Sequence, residues 1–359
     1  MMLRAAREKR AEEQIRRVPL VVAAPVGLLV LLFLMVLSVS VGPLRIDFAD
    51  VFRIVGQQLG IHEVDGLSQR DVSVVWQLRF PRTLLGALVG AALAMSGAAL
   101  QSLFNNPLAD PGIIGVTGGA TTGAVAVIVL LGPVASDALT TWAVPGGAFL
   151  AGLAVTALIY VLARPGRATG TSKMLLVGIA LGSACAALTG FFTYIADDTQ
   201  LQTLVFWQLG SLSSVNWGQL AAMLPVAVAG VVVLVMNMRN LDVLALGERH
   251  ARHLGVNVKA ARMAIIVATA LLAGGSVAFV GSIGFVGLVV PHIVRQIVGP
   301  AHRVALPMAA IVGACLIVAS DCAARTLNPP SEIPLGLFTA AVGAPFFLYL
   351  VVRAKKSMW

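Results

Sequence analysis

The sequence predicts an all-α protein that crosses a membrane about ten times and keeps both termini in the cytoplasm. Composition is the first observation: 58% of the 359 residues are apolar, 11% are charged, and the mean hydropathy is +0.91. A soluble domain carries about 25% charged residues, so a soluble protein is excluded. Because one span needs about 20 apolar residues, the apolar residues supply about ten spans and leave no room for a second, soluble domain.

The distribution of basic residues is the second observation, and it sets the orientation. Of the 25 Lys and Arg residues, 19 fall into five short segments that alternate with segments nearly free of them. Short loops rich in Lys and Arg stay on the cytoplasmic side of a membrane. The predicted cytoplasmic segments are Arg4–Arg17, Arg164–Lys173, Arg239–Arg262, Arg295–Arg303 and Arg353–Lys356. The high isoelectric point therefore reflects topology and anionic lipid, not nucleic acid.

Five spans are predicted in the first half of the chain. The first apolar run follows a basic head, as in a signal peptide, but it is about 24 residues long and lacks a small-residue cleavage site, so we expect it to be retained. An outer segment from Pro43 to Gln77 is amphipathic around Phe48–Leu59. The expected spans cover residues 18–41, 83–103, 113–131, 144–163 and 174–195.

Five more spans are predicted in the second half. An acidic outer loop, Ala196–Thr203, and the stretch Phe206–Trp217 precede them. The expected spans cover residues 220–238, 263–280, 284–298, 304–324 and 335–352. We therefore expect one permease domain over residues 18–356, with a basic cytoplasmic segment before it at 1–17 and a cytoplasmic loop at 239–262.

Three pairs of glycines recur at a spacing of four residues. Gly86 and Gly90, Gly115 and Gly119, and Gly178 and Gly182 each place small residues on one helix face. Such pairs let helix backbones approach closely, either inside one bundle or at a subunit interface.

Enzyme motifs are missing from the sequence. No G-x-x-x-x-G-K-[ST] occurs, so the chain cannot cradle nucleotide phosphates in that way, and no H-E-x-x-H occurs. The three cysteines stand at no metal spacing. We expect neither a catalytic residue nor a metal site. Ionisable residues within the apolar stretches are few, chiefly His292 and Asp321, which argues against a carrier driven by an ion gradient.

The longest predicted inner loop has a pattern of its own. Residues 241–255 predict a short helix that carries Leu244, Ala251 and Leu254 and ends at Gly255. Small and apolar residues on a cytoplasmic helix indicate either a protein partner or an ordinary connector.

Six short strings stand in a fixed order along the chain. They are RFPRT at 79–83, GAALAMSG at 90–97, NPLADPG at 106–112, LGERHARHLGV at 246–256, FVGLVVPH at 285–292 and EIPLG at 332–336. Together they resemble the FecCD family of ABC transporter permeases, which import iron-siderophores, haem and cobalamin. The resemblance covers about residues 20–355; one string alone would be weak, but six in register are specific.

The resemblance implies the type II ABC importer permease fold. It implies a ten-span subunit that forms a homodimer around a central pathway, with two ATPase subunits bound from the cytoplasm and a substrate-binding lipoprotein docked outside. The chain itself would be no enzyme and would hold no cofactor, because ATP and Mg²⁺ belong to the partner ATPase. The ATPase-coupling residues would be Leu244, Leu246, Gly247, Glu248, Arg249, Ala251, Leu254 and Gly255.

Outer-face arginines of the family receive acidic residues of the binding protein. The matching positions here are Arg79, Arg82 and Arg325, three of only six basic residues predicted outside. Arg–carboxylate pairs can be bidentate and can orient a partner. The alternative is that these arginines extend along apolar surface with their charged ends in water.

Two further sets of residues are implied for the pathway. Thr171 and Ser172 match the cytoplasmic gate of the cobalamin-transporting member of the family. The fifth and tenth spans of both subunits would line the pathway, with Ser183, Thr189 and Phe192 as candidates from their helix positions.

The cargo is indicated by the strings between the fifth and sixth spans. Phe206–Trp217 and Asp197–Gln202 look closer to haem permeases than to cobalamin permeases, although siderophore permeases carry similar strings. We expect a multi-pass cell-membrane subunit of an ATP-driven haem importer, with a ferric siderophore, or less readily cobalamin, as the alternative cargo. An ion-driven secondary transporter and a membrane scaffold without transport are the alternatives from other classes.

Overall fold

The computed structural model describes residues 18–61, 66–132, 137–163, 170–329 and 331–356. All regular secondary structure within these ranges is helical, as predicted. The basic segment predicted at 1–17 lies outside the described residues. We call the end of the bundle that carries residues 238–255 the inner face and the opposite end the outer face.

The helices follow the predicted order. They are α1 (Leu20–Ser40), α2 (Phe48–Gln58), α3 (Gln69–Ser73), a π-helical turn (Val74–Arg79), α4 (Phe80–Leu103), a 3-10 turn (Pro111–Ile114), α5 (Val116–Leu131), α6 (Asp137–Ala163), α7 (Gly170–Ile195), α8 (Asp198–Leu209), α9 (Trp217–Met236), α10 (Met238–Leu244), α11 (Glu248–His253), α12 (Val258–Val280), α13 (Val286–Val298), α14 (His302–Thr326) and α15 (Leu335–Lys356). In the described part, seven helices are long and apolar enough to cross a membrane, and three shorter apolar helices lie at the other predicted spans.

Two helices form the centre of the bundle. The apolar window of α4 is 78% buried and that of α12 is 72% buried, whereas the windows of α1 and α7 are only 6% and 11% buried. Helix α4 packs against α9, α12, α13 and α14. The exposed side chains of α1 are apolar, as Val21 and Phe33 illustrate. Apolar side chains need lipid or another protein to cover them, and α1 can lie in lipid because its backbone polar groups are paired within the helix.

Glycine lets the central helices cross closely. A Cβ on Gly90 of α4 would lie 2.2 Å from the carbonyl oxygen of Gly313 on α14, and a Cβ on Gly97 would lie 1.8 Å from that of Gly287 on α13. Both contacts lie within one chain. The interpretation of Gly90 as a packing residue inside one bundle is therefore confirmed. Gly182 has no atom of another element within 4 Å of such a Cβ.

Helix α8 was missed by the sequence analysis, which predicted a loop at Ala196–Thr203. The Asp197 carboxylate accepts a hydrogen bond from Gln200 N at 2.8 Å, and the Gln200 side chain accepts one from Asp197 N at 3.1 Å. This capping box satisfies two backbone N–H groups at the helix start. The helix ends before Gly210, whose φ of +74° turns the chain so that Ser211 N donates to Val280 O at 2.8 Å.

Candidate functional site

The inner face carries a coupling segment, which we define as residues 238–255. The predicted single helix is wrong here: Gly247, with a φ of +101°, separates α10 from α11. The predicted end at Gly255 is confirmed, with a φ of +78°. Leu244 and Ala251 are buried against the bundle and hold the two short helices in place.

Other residues of the coupling segment face outward. Leu246 is 64% exposed and Leu254 is 65% exposed, and Arg249 is exposed beside them. The two leucines lie on either side of α11 in the sequence and offer exposed apolar groups to a partner, and Arg249 offers a charge. The predicted coupling residues therefore divide into some that hold the segment and some that are available to a partner.

An ion pair ties α11 to α12. Glu248 binds Arg262, whose side chain is only 5% exposed, and also lies 3.4 Å from Arg252. A nearly buried guanidinium needs such a partner, because an unpaired buried charge is costly. Arg262 was not among the predicted site residues, and its pairing across the Gly255 turn has no sequence signal.

A second contact ties α10 to α4 and α14. Asp242 Oδ1 accepts a hydrogen bond from His302 N at 2.9 Å. The same oxygen lies 2.7 Å from His302 Nδ1. The other ring nitrogen of His302 lies 2.7 Å from Ser102 Oγ. His302 is 2% exposed, so its two ring contacts replace water. Within the coupling segment, α10 is thus fixed to α14 and the start of α11 is fixed to α12.

The outer face holds a cluster of paired charges, which we call the outer arginine cluster. Arg82 binds Asp321 Oδ1 at 2.7 Å and both carboxylate oxygens of Glu332 at 2.9 Å. Arg325 Nε lies 3.1 Å from Asp321 Oδ2. Arg79 donates to the carbonyl oxygens of residues 39 and 40, the last two of α1, and of residue 44 beyond it. Asp321 therefore lies between two arginines that belong to different helices.

These contacts change the interpretation of the three predicted docking arginines. Arg79, Arg82 and Arg325 are 6%, 8% and 2% exposed, and each binds groups of its own chain. The three arginines are therefore not free groups on the surface, and their charged ends do not extend into water. Docking to a binding protein stays a prediction, and it would require these arginines to exchange internal partners for external ones. Reversing the charge of Arg82 or Arg325 would bury a carboxylate beside Asp321, so it tests folding before it tests docking.

The predicted gate and pathway residues differ in placement. Thr171 and Ser172 fall in the first turn of α7, and their side chains lie outside the described residues. Ser183 lies on the exposed face of α7. Thr189 Oγ1 lies 3.1 Å from Thr122 Oγ1 of α5, and Phe192 packs with the α5 side. Of the three predicted pathway residues, only Ser183 is placed on an open face.

The open face of α7 is largely apolar. Ile179 is 67% exposed, Phe191 is 57% exposed and Tyr194 is 87% exposed. Their spacing places them on the same side of the helix as Ser183. Only 11% of the apolar window of α7 is buried, so most of this face is uncovered in the single chain.

A hollow of about 400 Å³ opens on the outer face between α8 and the end of α12. Three aromatic side chains line it, together with hydroxyl and amide groups. The lining residues include Phe206, Trp207, Phe279, Gln202, Ser211 and Ser213. Phe206 is 50% exposed, so its ring is available to a ligand. Among the described residues no group of three or more metal-ligating side chains occurs.

Comparison with known proteins identifies the relatives of the chain. Residues 30–353 match the model of the FecCD transport family. The chain is 41% identical over 288 residues to the hemin transport system permease protein of Yersinia pestis, with 79% of this chain and 84% of the relative covered. It is 42% identical over 307 residues to the vitamin B12 import system permease protein of Vibrio cholerae, with 86% and 91% covered.

Solved structures agree with this match. A metal-chelate type ABC transporter in an inward-facing conformation aligns with a TM-score of 0.79 at 31% identity, covering 91% of this chain and 97% of that chain. PsaBC from Streptococcus pneumoniae aligns with a TM-score of 0.54 at 16% identity, covering 75% and 90%, a likeness of fold alone.

Proposed function

Because this chain belongs to the FecCD transport family and is the permease subunit of an ABC importer, we propose that it carries haem across the cell membrane. In this proposal two copies form the pathway, two separate ATPase subunits bind the coupling segments, and an extracytoplasmic binding protein delivers haem to the outer face. ATP and Mg²⁺ bind the ATPase subunits, and haem is cargo and not a resident cofactor.

The observation that carries the choice of haem is the aromatic hollow on the outer face. Its aromatic rings would contact a flat, conjugated macrocycle, since aromatic rings stack in offset or edge-to-face arrangements. Its serine hydroxyls and the Gln202 amide would bind the propionate groups at the macrocycle edge. The similarity to a hemin permease supports the same cargo, whereas the similarity to vitamin B12 permeases supports cobalamin.

The anchored coupling segment supports a mechanism for ATP-driven opening. Leu246 and Leu254 would contact the ATPase subunit, and motion of that subunit would reach α12 through Arg262 and α14 through His302. Such a motion shifts the population between two packings of the bundle, because the nucleotide states favour them differently.

Substrate stimulation in a reconstituted complex tests the proposal. The chain is co-purified with its ATPase subunit, placed in liposomes, and supplied with the cognate binding protein loaded with haem, a ferric siderophore or cobalamin. We expect ATP hydrolysis and uptake to rise selectively with haem. Selectivity for another cargo would contradict the haem assignment, and uptake without the ATPase subunit would contradict the ABC mechanism.

A variant of the hollow tests the observation itself. We expect Phe206→Ala to lower haem uptake about five- to tenfold, which is the value of one aromatic contact. Phe33→Ala is the matched control, because Phe33 is 64% exposed on α1, away from the hollow. If both substitutions lowered haem uptake equally, the hollow would have no specific role in transport.

A further inference from the structure

A second hollow, of about 720 Å³, lies on the inner face beside the Asp242–His302 contact, and none of the predicted coupling or pathway residues lines it. It opens where α9 ends and α14 begins. Its lining comprises Val235, Met236, Met238, Arg239, Asp242, Ala301 and Arg303. The hollow therefore combines two guanidinium groups with an apolar wall.

The two arginines are available to a ligand. Arg239 and Arg303 are both exposed, and neither has an ion-pair or hydrogen-bond partner among the residues that the structure describes. The acidic group in the lining, Asp242, is engaged by His302 through the backbone N and Nδ1. The arginines therefore contribute positive charge that the nearest carboxylate only partly offsets.

The apolar wall points to the bilayer. Val235 is 47% exposed and Met236 is 77% exposed, and both belong to the last turn of a membrane-spanning helix. Arg239 follows Met236 by three residues, across the break at Asn237 between α9 and α10. An apolar wall in the same hollow as two cations matches a molecule with acyl chains next to a phosphate group. A water-soluble anion would contact the two arginines of this site and leave its apolar wall without a partner.

We propose that the inner-face hollow binds the headgroup of an anionic phospholipid. The guanidinium groups of Arg239 and Arg303 bind the phosphate, and the first acyl carbons lie along Val235 and Met236. Basic pockets between helices at the cytoplasmic side of membrane proteins have this chemistry. The site adjoins α10, so a bound lipid also stabilises the position of the coupling segment.

Native mass spectrometry of the purified full chain tests the site. The chain is prepared in detergent and titrated with phosphatidylglycerol, phosphatidylcholine or inorganic phosphate. We expect phosphatidylglycerol to be retained at least about tenfold more strongly than phosphatidylcholine, given two arginines near the headgroup. Inorganic phosphate at millimolar concentration should leave lipid retention unchanged, and its displacement of the lipid would assign the site to a free anion.

The double variant Arg239→Gln/Arg303→Gln should lose this preference for phosphatidylglycerol. The matched control is Arg45→Gln/Arg70→Gln, which removes the same charge from exposed arginines of the outer face and should retain it. Equal retention by both double variants would overturn the proposal. The proposal would also be overturned if Arg239→Gln/Arg303→Gln still bound phosphatidylglycerol but no longer bound the ATPase subunit. That result would assign the two arginines to a protein contact.

Discussion

Asp321 is the residue on which the outer arginine cluster depends. Its carboxylate binds Arg82 and Arg325, and the side chains of Asp321 and Arg325 are only 3% and 2% exposed. Arg325 otherwise binds the neutral oxygens of Ser38 and Val41. Loss of the Asp321 charge would leave a buried guanidinium with neutral acceptors only.

We expect Asp321→Asn to lower the free energy of unfolding by about 3 kcal/mol, since removing one partner of a buried pair leaves an uncompensated charge. Thermal unfolding of the purified chain in detergent measures it. Arg53→Gln is the control: its pair with Asp50 is 59% and 39% exposed at 3.3 Å, so its loss should cost under about 0.5 kcal/mol. A loss no larger than the control would show that the cluster is not structural.

The pairs of the outer arginine cluster could not be predicted from the sequence. Arg82 and Asp321 are 239 residues apart, and Arg82 and Glu332 are 250 residues apart. The sequence indicated that these arginines lie outside although Lys and Arg prefer cytoplasmic loops. That preference is a property of each short segment by itself. Which carboxylate meets which guanidinium depends on the packing of α4 against α14, which the charge pattern does not contain.

At the scale of elements, the crossing of α4 and α14 depends on the absence of a side chain at Gly90. We expect Gly90→Ala to separate the helices and lower the free energy of unfolding by about 1–3 kcal/mol, the usual range for overpacking. Gly146→Ala is the matched control, because a Cβ there would have no atom within 4 Å. Unfolding of both variants in detergent gives the comparison, and equal midpoints would contradict the close crossing.

The coupling segment presents two exposed leucines on a short, anchored pair of helices. We expect Leu246→Asp/Leu254→Asp to lower the amount of co-purified ATPase subunit at least tenfold, because binding would then have to remove two unpaired carboxylates from water. The unfolding midpoint should stay near that of the parent, since both side chains are about two-thirds exposed. Ile61→Asp, on the outer face and 71% exposed, should leave the ATPase subunit bound.

Element positions were predictable where the signal is local. Hydropathy and the Lys and Arg segments located the spans, because both act over about 20 residues. The start of α8 was also visible in principle: Asp197 and Gln200 have the spacing of a capping box. The break at Gly247 could not be predicted, because an isolated glycine inside a helical pattern is compatible with a continuous helix.

At the scale of the whole molecule, the exposed apolar face of α7 has to be buried by a partner. Our proposal is that a second copy of the chain packs against it. In a background without the native cysteines, we expect Ser183→Cys to form a dimer-sized product with copper phenanthroline or a short bifunctional thiol reagent in membranes. A two-fold axis places the same patch of both copies together. Phe33→Cys, exposed on α1, should stay monomeric. Cross-linking of both variants alike would contradict the assignment.

The two anchors of the coupling segment have a mechanical consequence. Asp242 is fastened to α14 through His302, and Glu248 is fastened to α12 through Arg262, with the Gly247 pivot between them. A displacement of Leu246 would therefore move two helices, α14 through Asp242 and α12 through Glu248. Helix α12 runs through the centre of the bundle, and α14 extends to the outer arginine cluster at Arg325. Both anchored helices thus connect the coupling segment at the inner face with the outer face.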